Sequence, residues 1–274
     1  MRPWIMFTKH LEGWSLGQMI EGLKSAGVDG ADLCVRPGYP VHPGNVRSEL
    51  VRAAKQFADE GLCIPLVTAP GELNRSDLDD AQPMFEACAE AGVGLIKLGY
   101  WHMEDDGYWP SIERCRDRLE GFVALGERTG VKPIIHNHSG EVMSLNSSSV
   151  MNIVSQFDPA QVGVFADVGH LSIVGEPYPM AFDIVKKYLA AVAFKDLMRQ
   201  KTIKDGDPVW QTAVVPMGSG FGDFPQVVSI LQQIGFAGPI SFHCEYSRLP
   251  PESVIDQCRI DTRWIESLCR TKAT

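Results

Sequence analysis

Three short stretches in the second half of the chain carry side chains suited to acid–base or metal chemistry. They are His136-Asn137-His138, Asp167 followed by Gly169 and His170, and His243-Cys244-Glu245. Each closes an apolar run of the kind that forms a buried strand. Side chains alternate along a strand, so His136 and His138 share one face, as do His243 and Glu245. Asp167 follows Val164-Phe165-Ala166, and a carboxylate buried there needs a partner, because an unpaired one is costly or neutralises. The alternative for Asp167 is a turn role, its side chain capping the helix that follows. Imidazoles and carboxylates meeting at one mouth suit Zn²⁺, Mn²⁺, Co²⁺ or Mg²⁺.

Such a meeting requires a scaffold, and the apolar rhythm supplies one. Strand-like runs fall at 4–7, 31–35, 63–68, 95–98, 132–136, 163–167, 190–194 and 240–244, most of them followed by helical periodicity. Strands alternating with helices imply right-handed βαβ units and a parallel sheet. Eight units in 274 residues fit a closed (β/α)8 TIM barrel, a single domain over residues 1–274, better than an open sheet. No strand-borne Gly-x-Gly-x-x-Gly opens the chain, so a dinucleotide fold loses its main support. A barrel places its active site at the C-terminal ends of its strands, where the polar residues above gather. Ser15 is the expected N-cap of the first helix, and the segment 198–216 is the candidate lid or homo-oligomer contact.

Composition excludes several classes. A formal charge of −9, from 34 acidic and 25 basic residues, argues against nucleic acid as a partner. No apolar run approaches the roughly 18 residues of a membrane span, and Met-Arg-Pro-Trp-Ile leads into a strand with no signal-peptide core, so a cytoplasmic location and no membrane partner are expected. Seven cysteines without a Cys-x-x-Cys spacing speak against a disulfide framework or zinc ribbon.

On these motifs the chain resembles the xylose isomerase-like TIM-barrel superfamily, in the branch of sugar phosphate isomerases and epimerases with a His-Asn-His strand end. The resemblance rests on His136-Asn137-His138-Ser139-Gly140-Glu141, Asp167-Val168-Gly169-His170, Lys195-Asp196, the Gly218-Ser219-Gly220 loop with Asp223, and Glu245. It implies a divalent metal held at four strand ends, which fall here on His136, Asp167, Ala193 and Glu245. Ala193 cannot ligate, so His136, Asp167 and Glu245 remain as metal ligands, with His138, His170 or His243 available for the missing place.

The activity implied is isomerisation or epimerisation of a keto sugar or sugar phosphate by proton abstraction beside a carbonyl, with Glu245, His136 and Lys195 as catalytic residues and His138, His170, His243 and Trp101 against a small carbohydrate substrate. With His136 where the family's epimerases carry a second Glu, a lyase or dehydratase acting on a keto sugar is the alternative, followed by a catalytically impaired sugar-binding barrel. The DNA-repair branch, typified by endonuclease IV, needs a basic face this acidic chain does not offer. Glycines 218 and 220 either bring backbone N–H groups to a phosphate or only serve a turn, and Glu245 has a structural alternative in a pair with Arg248.

Overall fold

The computed structural model of the chain describes residues 3–246 and 249–270, which leaves Arg248 outside the described residues. Its strands in chain order are β1 (Trp4–Phe7), β2 (Gly30–Cys34), β3 (Cys63–Thr68), β4 (Leu95–Lys97), β5 (Lys132–His136), β6 (Gly163–Asp167), β7 (Leu189–Phe194), β8 (Asp196–Lys204), β9 (Asp207–Val215) and β10 (Ile240–Phe242). Eight of them close a barrel in the order β1-β10-β7-β6-β5-β4-β3-β2. Every pairing within it is parallel, and β1 closes it by pairing Trp4 with Ile240 on one side and Ile5 with Gly30 on the other. The expected (β/α)8 TIM barrel is therefore the observed fold.

The helices form the outer ring: α1 (Leu16–Ala26), α2 (Val46–Asp59), α3 (Ala81–Glu90), α4 (Tyr108–Thr129), α5 (Ser147–Val154), α6 (Val168–Val174), α7 (Tyr178–Val185), α8 (Phe224–Gln233) and α9 (Pro251–Arg270). The Ser15 cap forms as expected, with Gln18 completing a reciprocal capping box at the start of α1. No described helix is long and apolar enough to cross a membrane.

The apolar core splits in two. The larger part lies between the strands and the helices, and a smaller one, Ile5, Leu66, Ile134, Phe165, Ala191 and Ala193, fills the barrel interior. Ala193 is fully buried in that inner layer. Above it, toward the C-terminal mouth, the inward positions turn polar, with Asp32, Thr68, Lys97, His136, Asp167, Lys195 and His243 all buried.

The segment 198–216 belongs to an antiparallel hairpin, β8 paired with β9 from Asp196↔Val215 to Lys204↔Asp207. Its turn is Asp205-Gly206, both at positive φ (54° and 92°), the left-handed pair that matches the twist of a two-residue hairpin. The loop after it does not cradle a phosphate. The backbone N–H groups of Gly218, Gly220 and Gly222 donate to the Asp196 carboxylate at 2.9, 2.8 and 3.0 Å, so an internal anion already fills that nest. A Cβ at Gly220 would stand 2.3 Å from Asp196 Oδ1, which is why this position lacks one.

Candidate active site

The three polar strand ends meet. A cavity of about 270 Å³ at the barrel mouth is lined by Lys9, Arg36, Thr68, Lys97, Tyr100, His136, His138, Lys195, His243 and Glu245, with Phe7 and Phe165 among its apolar walls. A groove beside it continues under the hairpin, between His138, His170 and Lys195 on one side and Arg199, Thr212 and Val214 on the other.

Asp167 performs both roles open to it, one with each oxygen. Its Oδ1 accepts the His170 N–H at 3.0 Å and caps α6, while Oδ2 faces the side chains that lie behind the cavity wall. There Oδ2 meets the Lys195 ammonium at 3.2 Å, His136 Nε2 at 3.2 Å, His243 Nδ1 at 3.6 Å and His170 Nε2 at 3.8 Å. Asn137, which alternation turns away from the cavity, stitches β5 to β6: it accepts the Asp167 N–H at 2.7 Å and donates to the Asp167 carbonyl at 3.3 Å.

Lys195 stands at the centre of the cluster. Two of its three N–H donors are spent, on Glu245 Oε2 (2.8 Å) and His170 Nε2 (2.9 Å), and the ammonium also forms an ion pair with Asp167 Oδ2. Burial pulls its pKa down, but Asp167 and Glu245 outweigh that and raise it, so the group is an ammonium. His170 Nε2 must then be the acceptor, which puts its proton on Nδ1, facing Ser139 Oγ at 2.8 Å. Burial pushes both Asp167 and Glu245 upward, yet Lys195 and the adjacent groups overcome it and hold both well below the usual carboxylate range. Glu245 has no free oxygen, since Oε1 binds the Lys9 ammonium at 2.6 Å.

His136, His138 and His170 are neutral. Burial lowers His136 to about 3 and His138 to about 4, and lowers His170 strongly as well. His136 Nδ1 lies 3.2 Å from the Tyr100 hydroxyl, and His138 Nδ1 donates to the Ser139 carbonyl at 2.6 Å. His138 and His170 pack ring on ring, their centroids 3.8 Å apart.

The donor set suits a divalent metal ion. Donor atoms of His136, Asp167 and His243 lie within 4.8 Å of one another. The separations of 3.2 and 3.6 Å from Asp167 Oδ2 match the roughly 3.4 Å between ligand atoms bound at about 2.1 Å around a tetrahedral ion. Both ring nitrogens of His243 are buried without a hydrogen-bond partner among the described residues. The residues fit. The set differs from the expected His136, Asp167 and Glu245, because His243 enters it while two ammonium groups hold Glu245 outside.

Other placements depart from expectation too. Trp101 does not reach the cavity: its indole is buried, and Nε1 donates to the Asn74 carbonyl at 2.7 Å. Its neighbour Tyr100 lines the wall instead. Further residues escaped the sequence reading, among them Lys9, Arg36, Asp32 and Lys97. Asp32 is fully buried on β2, anchored by Thr68 Oγ1 (2.6 Å) and Ser241 Oγ (3.0 Å), with His243 Nε2 at 3.5 Å. Lys97 is buried at the end of β4 with its Nζ 3.7 Å from the centre of the Tyr100 ring. The signal for Asp32 and Lys97 was a lone charge inside an apolar strand run.

The family model of the xylose isomerase-like TIM barrel matches residues 20–268. The chain belongs to that family. Within it, the chain is 24% identical over 255 residues to inosose dehydratase of Lacticaseibacillus casei, an alignment covering 83% of this chain and 81% of the relative. Among solved structures, this barrel resembles L-ribulose 3-epimerase with a TM-score of 0.75 at 14% identity, covering 99% of this chain and 95% of that one. It also resembles the IolI protein with a bound zinc atom, at a TM-score of 0.75 and 19% identity, covering 97% and 98% of the two chains. At these identities the structural likenesses speak for the fold.

Proposed function

We propose that this xylose isomerase-like barrel abstracts a proton beside the carbonyl of a small polyhydroxylated ketone, as an isomerase or epimerase of a keto sugar or its phosphate. The observation that carries the reading is the Lys195–Glu245 pair standing with His136 and His243 in one cavity, with buried Asp167 directly behind them. Glu245 is the base. It stays ionised across neutral pH, and its two ammonium partners fix both oxygens at the cavity wall. In the resting site Lys195 orients Glu245 through one of its N–H donors. Uptake of the proton neutralises Glu245 and releases the Lys195 N–H toward the substrate oxygen on which charge develops.

His136, Asp167 and His243 are the residues that would hold a divalent metal, whose contribution when bound is to polarise the carbonyl oxygen as a Lewis acid. For His136 to offer Nε2, its proton must sit on Nδ1 and donate to the Tyr100 oxygen, a tautomer that the 3.2 Å contact allows. Phe7 and Phe165 supply apolar wall that limits water around these groups.

A lyase reading is favoured by one observation, the likeness to an inosose dehydratase. Loss of water from the carbon next to the enolate needs a proton for the leaving hydroxyl, and Glu245 carries one once it has taken up the proton from beside the carbonyl.

Proton exchange from keto sugars and their phosphates in D₂O, followed by NMR, tests the proposal. The wild type should exchange the proton beside the carbonyl of at least one compound, and Glu245→Gln should lower that rate by about a hundredfold or more while folding normally. Unchanged exchange in the variant removes Glu245 as the base, and loss of water from the substrate in place of exchange selects the lyase.

A further inference from the structure

The cavity has two unlike halves. The side built from β5, β6, β7 and β10 carries the histidines, carboxylates and Lys195, whose charges are matched among themselves. The side built from β2, β3 and β4 carries Arg36 and Lys97, and their charges are not matched. Neither has a carboxylate within 4.0 Å among the described residues, and Arg36 Nε is buried without a hydrogen-bond partner.

This is unusual in a chain with an acidic surplus. The carboxylates nearest in effect to Lys97 are Asp32 and Glu245, and both are already engaged, Asp32 by Thr68 and Ser241, Glu245 by Lys9 and Lys195. Glu72 lines the same cavity, yet no ion pair joins it to either cation. Burial first, and then repulsion from Arg36, bring Lys97 down to about 7. Two like charges facing one cavity destabilise the unliganded fold, and an anion between them relieves both the repulsion and the orphaned guanidinium N–H.

We propose that Arg36 and Lys97 form the subsite for an anionic group of the substrate, a phosphate or a carboxylate, carried a few bonds from the reacting carbonyl. The anion lies against the β2–β4 wall, and the chain of the ligand crosses the cavity to Glu245 and His136. This rests on the proton-abstraction reading for the far end of the ligand, but not for the anion itself.

Two measurements on wild type, Arg36→Met and Lys97→Met separate the two claims. Calorimetry with inorganic phosphate and with acetate reports the anion subsite alone. Exchange in D₂O compares D-fructose, D-fructose 6-phosphate and 5-keto-D-gluconate, whose phosphate and carboxylate distinguish the two sources. The expected result is binding of one anion by the wild type, weakened at least tenfold in each variant. A preference of at least tenfold in kcat/KM for the ketose bearing that anion should also disappear in both variants. Lys97→Met removes a buried unmatched charge, so its thermal midpoint should hold or rise, which a purely structural lysine would not allow. Arg36→Met, on a loop past β2, keeps the test independent of packing around Lys97. Anion binding lost in the variants, with no exchange from any ketose, upholds the subsite and overturns the proton-abstraction reading. Equal exchange of neutral and anionic ketoses, or variants that bind phosphate and acetate as the wild type does, overturns the subsite. So does a wild type that binds neither anion.

Discussion

Replacing Lys195 by methionine should expose what the ammonium does for the two carboxylates it joins. In the wild type Lys195 lies 3.2 Å from Asp167 Oδ2 and 2.8 Å from Glu245 Oε2. Glu245 keeps Lys9 as a second cation, so its loss is partial. Asp167 is fully buried, and the side-chain hydrogen bonds it keeps come from neutral His136 and its helix-capping N–H. Removing one partner of a buried pair costs about 3–5 kcal/mol, and the Asp167 half alone should lower stability by that amount in the presence of a chelator. For a chain of this length that is a fall of roughly 6–20 °C in thermal midpoint, read by calorimetry. The same change removes the competing cation, so Mn²⁺ or Zn²⁺ should stabilise the variant by about 2.7 kcal/mol at a hundredfold excess over its Kd, and the wild type by less at the same concentration. The deficit should also shrink in acid. The folded-state pKa of Asp167 is depressed, so its contribution is present above the unfolded value near about 4 and is lost as the pH falls through the folded value. A variant as stable as the wild type in chelator, or metal that stabilises both equally, would refute this account of Lys195.

Three further outcomes follow from the same geometry. Ala193→His should lower both stability and metal affinity: the position is fully buried in the inner core layer, so the ring overpacks it at a cost of about 1–3 kcal/mol, and His243 already stands at the third ligand place. Metal titration by calorimetry together with urea unfolding reads both effects, and a rise in affinity would contradict the ligand set. Asp196→Asn turns an amide N–H₂ toward two of the backbone N–H groups that the carboxylate now accepts, and should cost about 3 kcal/mol or more in urea unfolding. A loss under about 1 kcal/mol would mean that the glycine loop does not depend on that anion. Lys97, brought down to about 7 in the folded chain, binds fewer protons there than in the unfolded chain between pH 7 and roughly 10.4. Wild-type stability relative to Lys97→Met should therefore rise with pH over that window, by at most about 1.4 kcal/mol per pH unit, and a flat difference would show that the amine is not desolvated.

What the sequence determined by itself was local. Alternation and turn residues place the ends of β1, β3, β5 and β6 where the structure has them, because side-chain period and chain breaks act within a few residues. They also put His136, Asp167 and His243 at one mouth, since a barrel gathers the ends of its strands. The Asp205-Gly206 pair was legible too, as a hairpin turn between alternating runs, though reading the segment only as a lid or contact passed over it. Periodicity tells which face a residue takes, not which neighbour it meets there. Only barrel closure decided that Lys195 would join Asp167 to Glu245, residues 28 and 50 positions away along the chain. Closure likewise turned the Trp101 indole to the Asn74 carbonyl and filled the Gly218–Gly222 backbone nest with Asp196. Asp32 and Lys97 sit in apolar strands, and the same closure set Lys97 in the cavity wall and Asp32 beside His243. Long-range charge matching is fixed by which strands become neighbours, and it left Arg36 and Lys97 facing that cavity without a carboxylate within 4.0 Å among the described residues.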